Sequence, residues 1–333
     1  MTKAHAVCAT VAILAALGPT QSSAQIVESV GSRALGMGGA FVAVANDSSA
    51  TWWNPGALAA GPFLDMALVR SVSEVNGTPP ARRDSATGFT IGTPPFGFSY
   101  YRLRVTDIYP LDPIAQGEAD RQGRGADIVV QSLSVDQFGA TLVHTLLPGI
   151  HAGTTLKYLR GTVLNALDDG RLGSSDLLDR GDDLSGGEGT GQFDLDVGVL
   201  AVAGPIRVGG VVRNVRAAAF GDVHLPRQIR IGAAFDAEAT GGLPLTVAID
   251  ADVKAYDGGD GARRVIALGG EHWLFARRLG VRAGARFNTT GTRNQAGTGG
   301  GSVAVRSGLY VDGHVVYGTR SERGWGIAAR VSF

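Results

Sequence analysis

From Phe193 to Val199 the chain alternates. Phe193, Leu195, Val197 and Val199 stand at odd positions, with Asp194, Asp196 and Gly198 between them. The same period of two returns at Ile229, Ile231, Ala233 and Phe235 against Arg230, Gly232 and Ala234. It returns again at Leu245, Val247, Ile249, Ala251 and Val253 against Thr246, Asp250, Asp252 and Lys254. Further on, Val281, Ala283, Ala285 and Phe287 oppose Arg282, Arg286 and Asn288, and Val303 and Val305 oppose Arg306. The last residues repeat it, with Trp325, Ile327, Ala329, Val331 and Phe333 against Gly326, Arg330 and Ser332. Successive side chains of a strand point to opposite faces, so each segment has one apolar and one polar face.

A soluble β-sandwich alternates in the same way. Three features point instead to a closed membrane barrel. The polar face is rich in Arg and Asp interleaved with Gly, as a lumen would be. Many segments approach the about 9–11 residues that a tilted membrane strand needs. Connections alternate between short and long, the habit of barrels with tight periplasmic turns and longer outer loops. On that basis fourteen strands are predicted, near 62–70, 87–93, 96–104, 127–146, 151–163, 192–203, 206–216, 227–237, 244–255, 262–274, 279–288, 301–311, 314–320 and 324–333. Tight turns are expected at Pro94-Pro95, 147–150, Gly204-Pro205, 239–243, 275–278 and Asp312-Gly313, and long loops at 71–86, 105–126 and 164–191. In the segment 127–146 the apolar phase slips near Ser134.

Composition agrees with strands. Glycine numbers 50 in 333 residues, about twice the ordinary share of roughly 7%, and glycine weakens helix interiors. The start of the chain sets the compartment. Lys3 precedes an uncharged run from Ala6 to Leu17, then a polar stretch in which Ser22 and Ala24 stand before Gln25. This is the layout of a secretory signal peptide over 1–24, and its apolar run is shorter than the roughly 20 residues of a membrane-spanning helix. Cys8, the one cysteine, falls inside it, so the mature chain has no disulfide or thiolate chemistry. Removing that segment takes away Lys3 alone, leaving 29 basic residues against 30 acidic ones. A chain so near neutrality gives no global argument for nucleic acid as a partner.

Residues 25–61 do not alternate. Gly31, Gly36, Gly38 and Gly39 cluster before a run of small apolar residues, followed by Asn46-Asp47-Ser48-Ser49-Ala50 and Trp52-Trp53-Asn54-Pro55-Gly56-Ala57-Leu58. The string RALGMGGAFVAVANDSSATWWNPGALA resembles the N-terminal hatch of the FadL-type outer-membrane transporters and their PorV/PorQ-like relatives. Phe333 resembles the terminal aromatic that barrel assembly machinery reads. The resemblance implies an all-β transmembrane barrel, 62–333, of about 14 antiparallel strands, with 25–61 as a helical and irregular plug in the lumen. The plug residues it implies are Gly36, Gly38, Gly39, Trp52, Trp53, Asn54, Pro55 and Gly56. Physical chemistry agrees: a segment part apolar, part glycine, part polar needs a surface to bury against, and a lumen provides one. The polar outer loops, above all the acidic 164–191, depart from the apolar collecting grooves of long-chain fatty-acid transporters.

The charges expected on the lumen face are Asp194, Asp196, Arg207, Arg213, Arg230, Asp250, Asp252, Arg282, Arg286, Arg306 and Arg330, a mutually neutralising set that stiffens the wall and seats the plug. Enzyme and cofactor motifs do not form. The N-terminal glycines give neither G-x-G-x-x-G nor a phosphate loop, since Met37 follows Gly36. The six histidines make no i,i+4 pair, and the serines make no G-x-S-x-G elbow. The carboxylates of 164–191 lack calcium-loop spacing and read as a solvated loop or a cation site. The expected protein is thus an outer-membrane channel for small, mainly hydrophobic molecules, without cofactor or metal. Its surroundings would be outer-membrane lipid and lipopolysaccharide. The alternative is a PorV-like barrel serving as a partner in secretion or surface cargo handling.

Overall fold

The structure is a computed structural model that describes residues 23–24, 29–77, 80–110, 127–258 and 261–333. The expected signal peptide lies outside the described residues except for Ser23–Ala24, whose backbone bridges Val223–His224.

Fourteen strands form one closed antiparallel barrel. They are β1 (Asp65–Val75), β2 (Ala81–Thr93), β3 (Phe96–Pro110), β4 (Asp127–Leu147) and β5 (Ile150–Asp169). Then come β6 (Thr190–Ala203), β7 (Ile206–Arg213), β8 (Gln228–Asp236), β9 (Leu245–Asp252) and β10 (Val265–Leu274). The last are β11 (Leu279–Asn288), β12 (Gln295–Arg306), β13 (Leu309–Gly318) and β14 (Glu322–Ser332). Each pairs with the next, and β14 returns to β1 in continuous register from Ser332↔Asp65 to Glu322↔Val75. Closure matters because every backbone N–H and C=O facing lipid must find a partner, and only a closed sheet has no edge.

Side-chain polarity is inverted relative to a soluble protein. Phe98, Phe138, Leu156, Ile231, Val281 and Ile327 are all more than two-fifths exposed, whereas Asp194, Asp196, Asp250, Asp252, Glu271 and Asp312 are almost fully buried. An apolar exterior around a charged interior places the chain in a bilayer. It is an outer-membrane-type β-barrel. Ile249 is about half exposed on the lipid side, so Ile249→Arg is expected to reduce assembly, costing about 2–4 kcal/mol near the midplane. Thr246→Arg, on the lumen side and near the rim, should be mild. A heat-modifiable gel band scores both, and equal loss in the two variants would contradict the facing assignment.

Several expected boundaries move. β1 and β2 run through most of 71–86, leaving 76–80 as the connection. The Asp312-Gly313 turn does not exist: both residues lie inside β13, and the turn is Ser307-Gly308 with Gly308 at φ +78°. A β-bulge between Ala304 and Arg306 breaks the parity there, so Arg306 is exposed at the rim instead of facing the lumen. β4 holds one register with β5 from Asp127 to Thr145. Its apparent slip has another cause. Helix α3 (Ser174–Asp183) folds back over the outside of the wall, and its Leu177 and Leu178 pack on the outward Ile108, Ile128 and Val130. β4 is therefore apolar on both faces at that height. The acidic 164–191 segment is this helix and its flanks rather than a free loop. Asp179 and Asp182 pair with Arg83.

The wall is uneven, with 21 and 20 residues in β4 and β5 but eight in β7 and eight in β9. After Arg213 the chain leaves the sheet at Asn214, φ 52°, and turns into the lumen, where Phe220, Val223 and Leu225 are buried.

Candidate functional site

Residues 29–61 fill the lumen and are buried almost throughout. They comprise α1 (Ser32–Gly36), α2 (Ala50–Trp53) and a 3₁₀ turn, Pro55–Ala60. The glycines of this segment serve close approach. Gly38 has φ +70°, and a Cβ there would lie 2.8 Å from the Ala285 backbone nitrogen. On the wall, a Cβ at Gly284 would lie 2.3 Å from the Met37 carbonyl carbon. Backbone thus meets backbone where β11 passes the loop after α1. Gly36 faces Gly300 less tightly, a Cβ there lying 3.3 Å from the Gly300 Cα, and Gly39 has φ +84°.

A second contact is built on Asn54. Its Oδ1 accepts from the Gly56 N–H at 3.1 Å, closing an Asx turn that Pro55 favours. Its Nδ2 donates to Val42 O at 2.8 Å and to Val199 O on β6 at 2.9 Å. Wall glycines make room: a Cβ at Gly198 would lie 2.1 Å from Asn54 Oδ1, and one at Gly153 would lie 2.5 Å from the Pro55 carbonyl carbon. Trp53 donates to Val30 O at 3.0 Å and meets Phe41 edge to face. Trp52 packs edge to face on Tyr101 of β3 with the Arg213 guanidinium 4.5 Å from its ring, a favourable cation–π contact in a desolvated place.

Charge fixes the orientation of the segment. Arg33 on α1 forks onto Glu271 of β10, with Nε–Oε1 2.8 Å and Nη2–Oε2 2.5 Å, and its Nη1 reaches Asp47 at 3.1 Å. Glu271 also takes Arg282 Nε at 2.6 Å. The chain of pairs continues through Asp312, which accepts from Ser302, to Arg330 at 3.0 Å and on to Asp65 at 3.4 Å. Asp65 receives the Ser48 N–H and hydroxyl at 2.9 and 2.7 Å, which returns the network to the plug. Burial works against the charges of Arg33 and Asp47. Glu271 and Asp47 outweigh it for Arg33, and Arg33 and Arg330 outweigh it for Asp47, so both stay ionised and Asp47 is held below the usual carboxylate range. Across the lumen, Asp250 of β9 accepts the Phe41 and Val42 N–H groups at 2.7 and 2.8 Å.

Of the residues expected on the lumen face, Asp250, Arg282 and Arg330 touch the plug or its network, and Arg213 and Arg230 lie over Trp52 and Trp53. Arg230 is itself held by Asp252 at 2.7 Å. Asp194 and Asp196 do something else. They accept the Arg216 and Asn214 N–H groups where the chain leaves the sheet, and Lys157 pairs with Asp196 at 2.6 Å. Arg207 pairs with Asp236 away from the plug, and Arg286 with Glu322 above it. Phe333 stands exposed at the end of β14. Sequence reasoning assigned nothing to Arg33 or Asp65, quoted Asp47 only within the segment that carries the resemblance, and took Asp312 for a turn residue. Above the plug, Leu35 floors a cavity of about 70 Å³ whose sides carry Arg82, Asp84, Arg286, His314 and Glu322. Among the described residues, no three His, Cys, Asp or Glu side chains converge as metal ligands would.

No family model matches the sequence, and no curated protein matches it. Solved structures do. The CymD monoaromatic hydrocarbon channel superposes with a TM-score of 0.62 at 14% identity, over 93% of this chain and 99% of that one. The chain has the FadL-type fold. The Ralstonia pickettii toluene transporter TbuX gives 0.62 at 13% identity over 92% and 99%. A Pseudomonas aeruginosa FadL homologue gives 0.59 at 9% over 93% and 99%. All three FadL-type neighbours are matched over nearly their whole length.

Proposed function

We propose that the protein is an outer-membrane channel through which small hydrophobic molecules diffuse passively past a hatch formed by residues 29–61. The observation that carries this reading is the small space left above the plug. Fourteen strands enclose the lumen, yet the cavity over Leu35 holds about 70 Å³, and a cavity known to take benzene is roughly 150 Å³. A monoaromatic solute therefore passes only if the segment beneath it shifts. The plug suits that role. Its helices are five and four residues long, and it is held by side-chain hydrogen bonds and ion pairs instead of being a strand of the sheet. The solute class is suggested by the shared fold, since CymD is a monoaromatic hydrocarbon channel and TbuX a toluene transporter.

Locking the plug tests this. The Ser48 and Thr90 hydroxyl oxygens lie 2.7 Å apart, one on the plug and one on β2, and Cys8 is the sole native cysteine. Ser48→Cys with Thr90→Cys should form a disulfide that abolishes the barrel-dependent part of toluene uptake, measured as the rate in excess of protein-free liposomes, and reductant should restore it. Undiminished uptake with the lock closed would remove the hatch from the route. Absence of uptake by the reduced and the unmodified barrel would remove the channel reading and favour a role as partner in secretion or cargo handling.

A further inference from the structure

The outer face of β2–β6 carries a feature that solute passage does not use. Phe89, Phe98, Phe138, Leu156, Tyr158 and Phe193 line an open groove of about 580 Å³ on the lipid side. Tyr100 stacks on Phe138 with centroids 4.9 Å apart, and Tyr158 on Phe193 at 5.2 Å. From Phe89 on β2 to Phe193 on β6 the groove crosses four strand spacings, about 19 Å, which is broad for a two-chain phospholipid. Two residues further along the strands, about 7 Å toward the long-loop end, a charged row crosses the same face. Arg102, Asp136 and Arg160 stand in register on β3, β4 and β5.

The row is unlike the charges beyond it. Arg83 and Arg104 lie nearer the loops and are taken up by α3, through Asp179 and Asp182 side chains for Arg83 and the Asp182 carbonyl for Arg104. Arg102 and Arg160 have one carboxylate between them. Asp136 accepts from Arg102 Nε at 3.0 Å and from the Tyr100 hydroxyl at 2.7 Å. These contacts fix the Arg102 stem while its side chain stays 67% exposed, and Arg160 is exposed too. At the far side of the groove lies a third exposed cation, Arg216. Arginine forks match phosphate oxygens in pairs.

Short turns of such barrels are periplasmic, so the row sits at the outer leaflet. We propose that this face is a binding site for a bisphosphorylated, multi-acyl lipid of the lipid A class. The acyl chains lie over the aromatic groove, one phosphate rests between Arg102 and Arg160, and the second reaches Arg216. The excess of cation over carboxylate selects an anionic headgroup, and the breadth of the groove selects more than two chains.

The test is native mass spectrometry of the whole barrel released from detergent with three lipids: bisphosphoryl lipid A, lipid A stripped of both phosphates, and phosphatidylglycerol. Bisphosphoryl lipid A should bind at least about tenfold more tightly than the other two, the scale of one or two charge-assisted hydrogen bonds. Arg102→Gln with Arg160→Gln should remove that preference while leaving the heat-modifiable band in place. Arg160→Gln alone, which spares the Arg102–Asp136 bond, should lower it in part and serves if the double variant does not assemble. Equal binding of all three lipids, phosphatidylglycerol matching lipid A, or a preference unchanged in the arginine variants would each overturn the site.

Discussion

Glu271→Ala is expected to unseat the plug while leaving the barrel closed. Glu271 is 2% exposed and is the common partner of Arg33 on the plug and Arg282 on the wall. Removing it leaves two guanidiniums facing each other without their shared carboxylate, and breaking a buried pair from one side costs about 3–5 kcal/mol. That cost can be relieved in two places. Arg282 is fixed in a strand bonded on both sides and keeps contacts with Ser302 and, at 3.8 Å, Asp312. Arg33 sits on a five-residue helix, so moving α1 toward solvent is the easier response. The variant should show faster protease cleavage at Arg33 and a raised ionic leak in planar bilayers, with an unchanged heat-modifiable band. Glu271→Gln keeps two hydrogen-bonding atoms without the charge and should fall between. Wild-type leak and protection in Glu271→Ala would mean that the ion pairs do not seat the plug.

Strand parity was legible wherever the two faces of the sheet meet different surroundings. Val247 and Ile249 face lipid and Asp250 faces the plug, so their alternation survives in the sequence. It was lost where that contrast is lost. Ile128 and Val130 point outward and are yet buried, because α3 covers them, and a pattern reader sees a slipped phase. Asp312-Gly313 was read as a turn because that dipeptide is a common hairpin signal. The lumen instead stabilises the Asp312 carboxylate with Ser302 and Arg330, and the turn fell to Ser307-Gly308. Arg306 was misplaced by a bulge that leaves no mark in the alternation. In the plug, the glycines and Asn54-Pro55-Gly56 announce themselves through backbone chemistry that few other residues supply. The pairing of Arg33 with Glu271 does not, since two residues 238 positions apart meet only once the sheet has closed.

The central claim is that one segment of about thirty residues closes a lumen that the barrel alone would leave open. Its removal is therefore expected to have the largest effect of all. Replacing residues 31–58 by a flexible Gly-Ser linker would delete Arg33, Asp47 and Asn54. It would leave Glu271, Asp250 and Asp65 on a wall whose fourteen strands pair in one closed ring without help from the plug. The vacated interior would be lined by charged side chains and would fill with water, since polar cavities hydrate where apolar ones stay dry. Part of the upper lumen would remain occupied by Phe220 and Val223, so the opening is expected beneath the cavity over Leu35, on the side of β10–β14 and β1. The deciding measurement is single-channel conductance in planar bilayers, intact protein beside linker variant, both checked for the heat-modifiable band. The account predicts brief or absent openings for the intact barrel and a steady, large conductance for the variant. A linker barrel that assembles and conducts as little as the intact protein would contradict it.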